Sequence, residues 1–105
     1  VSKAKEHVRS QYADVQLSLA QICERLGVSN SYFSTVFKKE TGKSFNEFLT
    51  ECRMYHAEAL LCETNLKVSE ISRRVGISNS QYFRRIFQEF TGQSPNDYRK
   101  QLLLK

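Results

Sequence analysis

Apolar side chains recur along the chain at intervals of three and four, the period of a helix buried on one side. In the stretch LAQICERLG, Leu19, Ile22, Cys23 and Leu26 share a face, and Gly27 then stops the helix. Ser29 caps a second helix that turns Phe33, Val36 and Phe37 inward, and Gly42 ends it. The pattern returns with Val68, Ile71, Ser72 and Val75 leading to Gly76. Ser78 then caps a helix that buries Phe83, Ile86, Phe87 and Phe90. Between the two lies SFNEFLTECRMYHAEALLCE, without glycine or proline. It predicts one long helix of roughly 19 residues, about 28 Å from end to end. An opening helix over about residues 2–12 and a closing one from Pro95, whose missing N–H suits a first turn, complete seven. The expected fold is all-α.

The two halves are copies. With one extra residue assigned to Gln81, thirteen pairs are identical, among them Gly27/Gly76, Asn30/Asn79, Phe33/Phe83, Phe37/Phe87 and Gly42/Gly92. Each copy is two short helices joined by a glycine-containing turn, the helix-turn-helix pattern. Cys23 and Ser72, four residues before their glycines, sit where the helices would cross and a bulky side chain would part them. The expected organisation is a first subdomain over residues 1–43, a linker helix over 44–62 and a second subdomain over 63–105.

Composition narrows the partner. The net charge is +5 and uneven: residues 1–52 hold 7 Lys/Arg against 6 Asp/Glu, and residues 53–105 hold 9 against 5. A basic balance favours a polyanionic partner, although many basic proteins bind none. Cys23, Cys52 and Cys62 lie in apolar patterns with no C-x-x-C, so they read as reduced, buried thiols of a cytoplasmic protein. No run approaches the roughly 18–20 apolar residues of a membrane span, and no signal peptide is present. Beginning at Val1, the chain reads as a piece of something longer.

The copies differ where they face outward. With the phenylalanines inside, the first unit's second helix shows Ser31, Ser34, Thr35 and Lys38, and the second unit's shows Gln81, Arg84, Arg85 and Gln88. Arginine forks to guanine, glutamine pairs with adenine, and serine or threonine meets several base edges. Asn30 and Asn79, just inside their serine caps, together with Lys39, Lys43, Arg73 and Arg74, are the candidates for phosphate contact. Arg53 and Arg99 stand among apolar residues and are expected in structural ion pairs. Tyr32, Tyr55 and Tyr82 could stack on bases, but at helical spacing beside phenylalanine they are expected in the core or at its rim. His7 and His56 form no triad with a nucleophile and a carboxylate, and no glycine-rich phosphate loop is present, so no enzyme, metal or cofactor is expected. The alternative class is a protein-docking module, for RNA polymerase or another regulator. Salt separates the two, because only DNA binding falls steeply with ionic strength.

The stretches SLAQICERLGVSNSYFSTVFKKETGKSFNEFLTECR and VSEISRRVGISNSQYFRRIFQEFTGQSPNDYR resemble the DNA-binding domain of the AraC/XylS family of bacterial transcription regulators. The resemblance covers essentially the whole chain, and the ending F-x-x-x-T-G-x-S-P-x-x-Y-R is similar to the family signature. It implies promoter binding, most often with activation, and a place as the C-terminal part of a regulator whose N-terminal part is a sensor or receiver domain. It also implies that recognition helices at about residues 30–41 and 79–91 enter adjacent major grooves. The small polar residues at 31, 34 and 35 depart from the family, where stronger base readers often stand. The segment KKETGKSFNEFL looks like the output domains of two-component response regulators, and occurs equally beside sugar-sensing cupin-like domains.

Overall fold

The computed structural model of the chain describes residues 2–103. Among these residues seven helices follow one another: α1 (Ser2–Gln11), α2 (Leu19–Leu26), α3 (Asn30–Thr41), α4 (Phe45–Glu63), α5 (Val68–Arg74), α6 (Ser80–Thr91) and α7 (Pro95–Leu103). No strand occurs among the described residues, and α4 has the 19 residues expected of the linker. Serines start four of the helices. Ser18, Ser29, Ser44 and Ser94 each accept a hydrogen bond from the backbone N–H three residues on, which satisfies a donor that has no partner inside the helix. Lys67 precedes α5 without a side-chain cap, so that helix is held by the burial of Val68, Ile71 and Ser72.

Two cores form, and α4 is divided between them. Phe45 and Leu49 join Ala4, Val8, Ile22, Cys23, Phe33 and Phe37. Met54, Ala57 and Leu61 join Val68, Ile71, Val75, Ile77, Phe83 and Phe87. The molecule is accordingly elongated, 47 × 23 × 21 Å. Phe37 is the centre of the first core, with the rings of Phe33, Phe45 and Phe48 at 5.7, 5.8 and 5.6 Å. Cys23 and Ser72, the small residues expected between the paired helices, are both buried. Their carbonyls accept from Val28 N and Ile77 N at 3.1 and 2.9 Å, and the Ser72 hydroxyl also donates to the Ile77 carbonyl at 2.5 Å.

Several expectations need correction. Arg53 and Arg99 donate to backbone carbonyls, not to carboxylates. Arg53 bonds the carbonyls of Tyr12 and Asp14, and Arg99 bonds those of Leu61, Thr64 and Leu66. A guanidinium has five donors, enough to close a loop whose carbonyls are turned inward. The cysteines differ: Cys23 is buried, Cys52 half-buried and Cys62 exposed, because Leu61 takes the core position at that end of α4. Burial pushes the Cys23 and Cys52 thiols up, which disfavours their thiolate forms. In α6 only Phe83 and Phe87 are fully buried, while Ile86 and Phe90 are half-buried and Phe90 meets Tyr55 edge-on at 5.5 Å.

Candidate nucleic-acid interface

Each helix-turn-helix presents its second helix, α3 or α6, with two phenylalanines inward and the opposite face to solvent. Gly27 turns the chain in the left-handed conformation, φ 70°, and Ser29 Oγ then accepts from Tyr32 N at 3.1 Å. The second unit is built differently from the sequence expectation. Its cap is Asn79, not Ser78: Asn79 Oδ1 accepts from Gln81 N and Tyr82 N at 3.0 and 3.1 Å. Phe33 and Phe83 each stand four residues after their cap, so Ser29 corresponds to Asn79 and Asn30 to Ser80. The extra residue therefore lies in the turn, at 77–79, and not at Gln81. The buried phenylalanines set the phase of α6, and of two adjacent cap-competent residues the helix uses the one in phase.

The Asn79 carboxamide oxygen is thus committed to the helix end, leaving its nitrogen as the side-chain donor for a phosphate. Asn79→Ala should cost about 1 kcal/mol of stability, whereas Ser78→Ala should stay within about 0.5 kcal/mol. Urea titration of the two variants separates them, and equal losses would return the cap to Ser78.

Gln81, Arg84, Arg85 and Gln88 are all exposed on α6. On α3 the outward face offers less. Ser31 and Lys38 are exposed, Ser34 is half-buried, and the Thr35 hydroxyl donates to the Ser31 carbonyl at 3.0 Å. Tyr32 and Tyr82, expected in the core or at its rim, are 64% and 47% exposed and stand at equivalent places on the two helices. Each precedes a buried phenylalanine by one residue, and the ~100° step of a helix turns it away from the core. That phase was readable in the sequence. The Arg85 guanidinium carbon lies 5.2 Å from the centre of the Tyr82 ring, a cation–π contact. Tyr55 is also exposed, but on α4, where it meets Phe90 of α6.

The cations differ in what they touch. Lys43 pairs with Glu51, and that hydrogen bond raises its ammonium pKa. Arg73 and Arg74 both reach Glu70, whose carboxyl is held below its ordinary range by the Arg74 hydrogen bond first and the Arg73 charge second. Arg73 and Arg74 are exposed, where screening makes such pairs weak, whereas the Lys43–Glu51 pair is part-buried. Lys39 is exposed and in no ion pair among the described residues, and Asn30 opens α3 directly after its cap. No group of three His, Cys, Asp or Glu side chains among the described residues could hold a metal, and none of the described helices is long and apolar enough to cross a membrane.

Residues 22–101 match a family model described as a helix-turn-helix domain. The chain belongs to the AraC/XylS family. It is an AraC-type DNA-binding domain of a transcription regulator. It is 34% identical over 102 residues to the Msm operon regulatory protein of Streptococcus mutans, covering 97% of this chain and 36% of that protein. With the HTH-type transcriptional activator Btr of Bacillus subtilis it shares 38% identity over 86 residues, 82% of this chain and 16% of that one. The solved C-terminal domain of AraT, a response regulator from Geobacillus stearothermophilus, is similar at TM-score 0.93 and 37% identity, covering 95% of this chain and 83% of that one. The AraC-type chain thus spans 36% or less of the length of these two curated relatives.

Proposed function

We propose that this AraC-type domain binds a two-part site in promoter DNA, with α3 and α6 in successive major grooves. The observation that carries the reading is the matched pair of helices: the same kind of cap, the same two inward phenylalanines, and different outward side chains. A 19-residue α4 spans about 28 Å at 1.5 Å per residue, close to the roughly 34 Å between grooves one turn apart. In this reading residues 1–43 and 63–105 are the readers and 44–62 the linker. Arg84 and Arg85 fork to guanine, Gln81 and Gln88 pair with adenine, and Ser31, Ser34, Thr35 and Lys38 make the shorter contacts of the first groove. Asn30, Lys39, Lys43, Arg73, Arg74 and Asn79 meet phosphates.

The likeness to a response-regulator C-terminal domain supports a receiver domain preceding this one in the intact cytoplasmic protein. The likeness to an activator supports activation, for which contact with RNA polymerase is the simplest means.

Selection from a pool of randomised duplexes tests the reading. Two enriched clusters about one helical turn apart are expected. One cluster alone would leave a single reading unit and a clamp, and no enrichment would favour protein docking. Lys39→Ala should weaken every selected sequence by a similar factor and reduce the salt slope by about one. A loss confined to one base pair would make Lys39 a reader instead.

A further inference from the structure

The loop after α1 reaches across the boundary between the two cores. Tyr12 is packed against both of them. Its ring stacks on His56 of α4, centroids 3.8 Å apart and planes 3° from parallel. Its carbonyl accepts from Arg53 Nε at 2.9 Å, and the Asp14 carbonyl accepts from Arg53 Nη2 at 2.9 Å. Arg53 lies between Leu49 and Met54, where α4 passes from one core to the other.

The second unit meets this loop at its own turn. Gly76 is buried with φ 90°, and a methyl placed on it would stand 2.5 Å from the Tyr12 carbonyl oxygen, 3.2 Å from Ala13 C and 3.0 Å from Arg53 Nε. Gly27, at the same place in the first unit, has nothing within 4 Å of such a methyl. The two glycines match in sequence and not in duty. Gly27 serves its own turn, whereas Gly76 also admits a neighbouring loop.

We infer that the 12–14 loop, Arg53 and Gly76 form a brace that fixes the angle between the two DNA-reading units, and so sets the spacing of the half-sites the domain accepts. This rests on the reading that both units engage DNA together. A linker helix sets distance, but the rotational phase of α6 relative to α3 also depends on how the second turn seats against the first unit. The forked guanidinium makes that seat, since it holds two carbonyls of one loop while its Nε edge lies against Gly76.

Arg53→Lys, which keeps the charge but loses the fork, and Gly76→Ala test the brace. Their affinities are measured for the selected half-sites at spacings changed one base pair at a time, and for an isolated half-site. The unaltered chain should prefer one spacing sharply. Arg53→Lys should lose about tenfold at that spacing and about twofold or less on the half-site, the mark of lost coupling between two binding modules. If Gly76→Ala fails to fold, Arg53→Lys still decides.

Spin labels at positions 40 and 89, in a variant without the three native cysteines, report the angle without DNA. Their distance distribution should be narrow, and should broaden with Arg53→Lys. A folded Arg53→Lys variant with unchanged distribution and spacing profile would overturn the brace. So would an equal loss on every duplex with the distribution unchanged. A distribution that broadens, in a chain that never showed a spacing preference, would keep the brace and sink the two-groove reading instead.

Discussion

Phe87→Ala should cost about 3–5 kcal/mol of stability, a large share of the ~5–15 kcal/mol that holds a domain of this kind together. Phe87 is fully buried in the second core. Its ring lies 5.8 Å from that of Phe83 and edge-on to Tyr98 at 5.4 Å. Removing it leaves a cavity beneath the residue that ties α7 to α4. Tyr98 donates to Glu58 Oε2 at 2.9 Å, and its phenol is pushed up to about 12, by burial first and that hydrogen bond second. The damage should stay on one side of the molecule, because among the described residues the first core draws no side chain from α5, α6 or α7. Urea titration should show the loss, and hydrogen exchange should show the α5–α7 amides opening while those of α2 and α3 remain protected. A cost below about 1 kcal/mol would mean that the site collapses around the gap. Simultaneous opening of both units would mean that α4 makes them one cooperative body.

What was legible in the sequence is what short-range chemistry decides. The period of Leu19, Ile22 and Cys23, the glycine stops and the serine caps place the helices to within a residue or two, since each signal acts within one turn. The phase of α6 is set otherwise. Ser78 and Asn79 are equally good caps, and the choice falls to the burial of Phe83 and Phe87 against helices distant in sequence. Arg53 and Arg99 betray their burial by their apolar neighbours, but the carbonyls they hold are 33 to 41 residues away. No local pattern distinguishes such a carbonyl from a carboxylate. The close approach at Gly76 is hidden for the same reason: as a string of letters it matches Gly27. The candidate DNA-facing side chains are readable as the complement of the phenylalanine face. Tyr32 and Tyr82 belong to that complement by phase, although aromatic residues usually belong to a core or its rim.

Arg84→Ala and Arg85→Ala should each lose about 1–3 kcal/mol of discrimination, each at its own base pair of the second half-site. Both side chains are exposed on α6, but they are not equally free. Arg85 is held over the Tyr82 ring, which limits the rotamers it must give up on meeting a guanine. Tyr82→Ala should therefore reproduce part of the Arg85→Ala loss at the same base pair and leave the Arg84 pair alone. The first unit provides the contrast. Ser34 is half-buried and the Thr35 hydroxyl already bonds the Ser31 carbonyl, so Ser34→Ala and Thr35→Ala should each change discrimination by less than about 1 kcal/mol. If scaffold and reader are separable, as the shared cap and phenylalanine frame argues, arginines at 34 and 35 should give the first half-site a guanine preference it lacks. Binding to single-base variants of the selected site, at two salt concentrations, reads all of these. Uniform losses across every sequence with a shallower salt slope would turn Arg84 and Arg85 into phosphate contacts, and specificity would then rest on Gln81, Gln88 and the two tyrosines.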